Sequence, residues 1–107
     1  MILVTSDGIP GRTIQETVGL VRGNAVRARH LGKDITAVFK NLVGGELDEY
    51  TKLLAESREQ AVDRMIADAQ SRGADAVVTV RVTTSQISAG AAEILAYGTG
   101  VKLAPTT

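Results

Sequence analysis

An α+β domain, with a mostly antiparallel sheet of about four strands packed on a short and a long helix, is the fold class this sequence predicts. Three observations predict it. Apolar residues recur at the helical period between Asp34 and Arg72, with one break at Gly44-Gly45. The stretches on either side alternate at the period of two that a strand requires. The resulting order is strand, strand, helix, helix, strand, strand, which separates helices from strands instead of alternating them. At 107 residues the chain is read as a single domain over 1–107, with a modest core.

Taken in order, Ile2 to Thr5 is a short apolar run that reads as a buried strand. Asp7-Gly8-Ile9-Pro10-Gly11 is a cluster of turn formers. From Ile14 to Ala28, Val18, Leu20, Val21 and Val26 sit among Gly19, Gly23 and Asn24. This predicts a strand that is bulged at a glycine or closely approached there by another backbone. Arg22, Arg27, Arg29 and His30 form the one local basic cluster, and a solvated, charged strand edge accounts for it.

Asp34 is placed to cap a short helix in which Ile35, Val38, Phe39, Leu42 and Val43 share one face. Gly44-Gly45 then redirects the chain into the long helix. Its stripe runs through Leu47, Tyr50, Leu54, Ala61, Met65 and Ala69, widened by Val62 and Ile66. Glu49, Lys52, Glu56, Glu59, Asp63 and Arg64 occupy the opposite face, and Gly73 supplies a left-handed stop. Arg58 interrupts the stripe. If it is buried there it needs a carboxylate, with Glu93 or Glu46 as candidates, and removing it would strand a charge at a cost of about 3 kcal/mol or more.

Ala76 to Thr84 is rich in β-branched residues and reads as a strand, with Val78, Val80 and Val82 on one face and Thr79, Arg81 and Thr83 on the other. Ser85 to Gly90 reads as a polar loop. Ala92 to Leu103 is the last strand, Ile94 and Ala96 opposed to Leu95, Tyr97 and Val101, and Gly98 and Gly100 mark a bulge or close packing. One long helix cannot cover both faces of such a sheet, so the open face and the edges call for water-tolerant side chains or a neighbouring subunit.

Composition excludes several functions. Twelve basic residues balance twelve acidic ones, which gives no electrostatic attraction to nucleic acid or an anionic membrane. Aromatic residues are 3% of the chain, too few for a base-stacking platform. With no cysteine there is no disulfide, thiolate metal site or cysteine nucleophile. Met1 to Thr5 is too short and uncharged for a signal peptide, so a cytoplasmic location is expected. Gly44-Gly45 at a helix start is not a phosphate loop, because Glu46, Asp48 and Glu49 crowd the same turn. Those three acidic residues, with His30, Asp7, Asp34 and Asp63, are the available hard metal donors, and none falls at a recognised ligand spacing. No catalytic residue and no cofactor signature can be assigned.

Several motifs together carry a family likeness. Val43-Gly44-Gly45-Glu46, Tyr50, Ala55-Glu56-Ser57-Arg58-Glu59-Gln60-Ala61, Arg72-Gly73-Ala74-Asp75-Ala76-Val77-Val78 and Tyr97-Gly98-Thr99-Gly100-Val101 resemble the YbjQ-like family. So does Pro10-Gly11 followed by Gly23-Asn24-Ala25-Val26. The resemblance implies a dodecin-like subunit, a ring-shaped homopentamer and a provisional heavy-metal-binding role. The absence of cysteine argues against soft metals. In a ring, Glu46, Asp48 and Glu49 are candidates for a weak divalent site. Arg58, Tyr50, Tyr97 and Thr99 are candidates for ligand or interface contacts. The alternative reading is a small cytoplasmic enzyme with its site at the subunit interface.

Overall fold

The computed structural model describes residues 1–28, 47–88 and 91–106. Strands β1 (Ile2–Leu3) and β2 (Ile14–Ala28), helix α1 (Leu47–Ser71), and strands β3 (Ala76–Ser88) and β4 (Ala91–Leu103) follow in that order. The short helix expected from Asp34, the break at Gly44-Gly45, and Arg29 and His30 lie outside the described residues. The sheet order is β1-β3-β4-β2. β4 pairs antiparallel with both β2 and β3, whereas β1 pairs parallel with β3, so the sheet is mixed. Parallel pairing follows because α1 intervenes between the two strands, as any parallel connection requires a long crossover.

α1 lies mainly over β2 and β4. Its buried seam is Ser57, Ala61, Met65 and Ala69, with Leu54 and Val62 packed at the margins. Against it the sheet sets Val21, Ala25, Ile94, Ala96 and Val77. Most of these residues are small, and the closest approach comes at Gly23. A methyl placed there would overlap the main chain of Ala61, Arg64 and Met65. The expected close backbone approach is therefore present, and the partner is the helix itself. Close approach lets a core poor in aromatics recover contact that bulky side chains would otherwise supply.

Both ends of the helix-to-sheet connection are pinned. Gly73, at φ 78°, donates its N–H to Gln70 O, and Ala74 N–H reaches back to Ala69 O. This paired arrangement satisfies carbonyls that the last turn leaves free, as the glycine led one to expect. Asp68 then ties helix to strand: one carboxylate oxygen accepts the Arg22 N–H at 3.0 Å and the other pairs with Arg72 Nε at 3.2 Å. Arg64 Nη1 donates to Asn24 O at 2.6 Å. Two backbone groups on the outer edge of β2 are thereby covered by the helix.

Three expectations are corrected. β1 is a marginal edge strand, with Ile2 37% exposed, because only two residues find a partner on β3. Ser85 to Ser88 is not loop but strand, paired through Ser85 to Glu93, Gln86 to Ala92 and Ser88 to Ala91. Backbone pairing holds that stretch although Ser85, Gln86 and Ile87 are exposed. The faces of β3 also differ from a simple alternation. The register breaks between Val78 and Arg81, where Thr79 adopts φ 55°. As a result Val78 joins one apolar cluster and Val80 packs against the other.

The second cluster lies on the face away from the helix. Ala76, Val78, Val101 and Leu103 are covered there by Val4 and Ile9. The N-terminal segment is held in place by Val4 N–H to Val77 O, Val80 N–H to Val4 O and Thr79 N–H to Ser6 O. A β-branched residue in the left-handed region carries roughly 1–2 kcal/mol of strain. Asparagine tolerates that conformation and keeps the N–H. Thr79→Asn is expected to raise stability by about 1 kcal/mol, seen as a thermal midpoint several degrees higher. A lower midpoint would show that the threonine side chain contributes more than its backbone strain costs.

Candidate functional site

Among the described residues, the sheet face opposite α1 is open beyond the N-terminal cover. Strand register arranges its side chains in rows, because directly opposed residues on antiparallel strands share a face. Leu20, Thr99 and Val78 form one row; Arg22, Tyr97 and Arg81 form the next. Asn24, Leu95 and Thr83 follow, then Val26, Glu93 and Ser85. Leu20 is 57% and Val26 51% exposed, well above what their side chains favour. Tyr97 and Thr99 are half-buried at the centre. Arg81 Nη1 turns aside to donate to Thr5 O at 3.0 Å and Val80 O at 2.9 Å. Asn24 Nδ2 donates to Glu93 Oε2 at 3.2 Å.

Among the described residues, the outer edge of β3 beyond the N-terminal segment is unpaired and borders this surface. β1 and the N-terminal segment engage β3 only as far as Arg81 among the described residues. From Val82 to Ile87 the strand is exposed and carries no charged residue. Val82 and Ile87 are 43% and 56% exposed. An uncharged, unpaired edge of this kind invites another strand.

Among the described residues, the predicted site residues do not converge within one chain. Tyr97 and Thr99 stand two residues apart on the open face, but Arg58 lies on the helix, which covers the other face. Arg58 is exposed, contrary to the expectation of a buried, carboxylate-bound arginine. Ser57 takes the seam position between Leu54 and Ala61 instead, and its hydroxyl donates to Leu53 O at 2.8 Å. Both residues fit a three- or four-residue step, and the rotation of α1 against Gly23 selects the smaller one. Glu93, one proposed partner, is engaged by Asn24; Glu46, the other, lies outside the described residues. Arg58→Ala is accordingly expected to change the unfolding free energy of the isolated chain by no more than about 0.5 kcal/mol. A loss of several kcal/mol in denaturant titration would restore the buried-charge reading. Arg81, which completes the central row around Tyr97, was not singled out in the sequence. Its position two residues after an unsignalled bulge concealed it.

The metal donors also fail to assemble within the described residues. No group of three or more histidine, cysteine, aspartate or glutamate side chains is close enough to hold an ion among them. Asp48 and Glu49 lie in the first turn of α1, and their side chains, like that of Tyr50, are outside what is described. A soft heavy metal would require thiolates that this chain lacks. The donor set present does not fit one. No helix among the described residues is long and apolar enough to cross a membrane.

The geometry defines a small α+β protein in which one long helix covers one face of a four-stranded mixed sheet and, among the described residues, leaves much of the other open. The chain belongs to the YbjQ family: the family model described as "Putative heavy-metal-binding" matches residues 1–104. Among similar proteins, a UPF0145 protein of Methanosarcina acetivorans is 56% identical over 103 residues, covering 96% of this chain and 97% of its own. The UPF0145 protein PBPRB0184 of Photobacterium profundum is 58% identical over 103 residues, covering 96% of this chain and all of its own. A crystal structure of a protein of unknown function from Pediococcus pentosaceus, assigned to the DUF74 family, superposes with a TM-score of 0.68. It covers 97% of this chain and 98% of its own at 17% identity, a likeness of fold.

Proposed function

We propose that this chain is the dodecin-like subunit of a closed homo-oligomeric ring, most simply a pentamer, whose subunit interfaces offer room for a small ligand. The observation that carries the reading is the open sheet surface: Leu20 and Val26 exposed around Tyr97, continuous with the bare edge from Val82 to Ile87. The two edges of the sheet differ, β1 and β3 on one side and a helix-capped β2 on the other. A contact between unlike edges is heterologous, and repetition of such a contact closes a ring when the rotation allows. The number five rests on the family resemblance. Zero formal charge leaves little repulsion between copies. In this reading Tyr97 and Thr99 face the neighbouring subunit, and Arg58 and Tyr50 are contacts on the helical side. A cytoplasmic location accords with the same picture.

Metal binding is weak here and belongs to the assembled ring. Glu46, Asp48 and Glu49 supply hard oxygen donors that favour zinc, magnesium or calcium over copper(I) or cadmium. Native mass spectrometry of the purified protein, with and without cadmium, copper(I) and zinc, tests both statements. A closed oligomer that retains neither cadmium nor copper(I) is expected. A monomer at micromolar concentration would overturn the ring, and one tightly retained soft metal per subunit would overturn the donor argument.

A further inference from the structure

A separate pocket of about 250 Å³ opens between the turn before β2 and the segment after β4, lined by Gly11, Arg12, Thr13, Ala104, Pro105 and Thr106. Its walls are fixed by backbone. Arg12 N–H donates to Ile9 O at 3.0 Å, Gly11 turns the chain at φ 79°, and Ala104 N–H donates to Thr13 O at 2.8 Å. Arg12 Nε is buried and has no hydrogen-bond partner. The ion pairs among the described residues join Arg72 to Asp68 and Lys102 to Glu16, so Arg12 has no carboxylate opposite it among them. Nor does any lining residue carry a negative charge.

The Nε of this half-buried guanidinium is withdrawn from water without a partner, which is uncommon because buried polar atoms are ordinarily hydrogen-bonded. Guanidinium matches the planar oxygen pairs of carboxylates and phosphates, and hydroxyls such as those of Thr13 and Thr106 are suitable secondary donors. The volume lies below that of a site for drug-sized molecules. We propose that this pocket binds a small free oxyanion, a carboxylate or phosphate group, with Arg12 as its principal contact. The site does not depend on the ring: it is formed by residues of one chain, remote in sequence from the edge of β3.

Titration of the full chain with inorganic phosphate and with acetate, against chloride at matched ionic strength, tests the proposal by calorimetry and amide chemical shifts. One or both probes should bind saturably in the millimolar range or tighter, with shifts centred on Gly11, Thr13, Ala104 and Thr106. Arg12→Gln should weaken binding by about tenfold or more, and Arg12→Lys, which keeps the charge but loses the fork, by less. Circular dichroism verifies that each variant folds; if Arg12→Gln does not, Arg12→Lys and the shift map decide. Absence of saturable binding, shifts centred elsewhere, or equal affinity in a folded Arg12→Gln variant would overturn the assignment. So would a change of oligomer mass in that variant when the parent binds neither anion, since Arg12 would then be a subunit contact.

Discussion

Gly23→Ala is expected to destabilise this protein by about 3 kcal/mol or more, enough to leave much of the chain unfolded at moderate temperature. The added methyl would lie 2.6 Å from the Arg64 carbonyl carbon and overlap the backbone of Ala61 and Met65. No side-chain rotation relieves a collision with main chain. Either α1 lifts from β2, which separates Met65 and Ala61 from Val21 and Ala25, or the strand deforms. Comparison with Gly8→Ala supplies the control, because nothing lies within 4 Å of a methyl at that position. Urea titrations at one fixed protein concentration should show a large fall in midpoint for Gly23→Ala and a small change for the control. Similar midpoints for the two variants would mean that α1 does not rest on Gly23 in solution.

Met65→Ala ranks next, at an expected cost of about 3 kcal/mol. Met65 is fully buried and is the largest such side chain among the described residues, in a cluster otherwise made largely of valines and alanines. Its neighbours are short and anchored to regular backbone, so they cannot collapse into the space it vacates. The loss therefore combines transfer of the side chain with an unfilled cavity. Met65→Leu, close to it in volume, should cost less than about 1.5 kcal/mol. The unfolding midpoint should fall while the denaturant slope is unchanged. A loss below 1 kcal/mol for alanine would show that the helix–sheet interface repacks freely.

These two effects bear on the proposed assembly as well as on the fold. The helix lies across β2 and β4, and Asp68 and Arg64 occupy backbone groups on the edge of β2. Among the described residues, the open face and the β3 edge are the surfaces that the proposed assembly would use. A variant that dislodges α1 should disturb assembly through the subunit, whereas one at Val82 or Ile87 should disturb it directly.

Much of the secondary structure was legible because each element carried its own period. The stripe of Leu54, Ala61, Met65 and Ala69 is the buried seam of α1, and Gly73 ends the helix through a left-handed turn. The alternation of Ile94 and Ala96 with Val101 and Leu103 divides β4 between two apolar clusters on opposite faces. Gly19, Gly23 and Gly98 were read as bulge or close-packing positions. A register shift occurs at Gly19, while Gly23 and Gly98 lie against backbone and side chains with no space for a methyl. Less was legible at the candidate site. Exposed rows such as Arg22, Tyr97 and Arg81 are assembled from three strands, and no single segment contains the pattern.

The sequence by itself determined most of the described elements, their order and the absence of thiolate chemistry, because periodicity, turn residues and composition are local properties. Only the tertiary structure decided that Ser57 and not Arg58 enters the core, since the two differ by one helical step and the approach of Gly23 selects between them. It alone decided that β1 runs parallel beside β3, because pairing partners are set by what the crossover allows. And it alone placed Val78 and Val80 on opposite faces, through a left-handed threonine that no local propensity announces. Strain of that kind persists because contacts from distant segments, Ser6 and Val4 among them, over-determine the backbone around it.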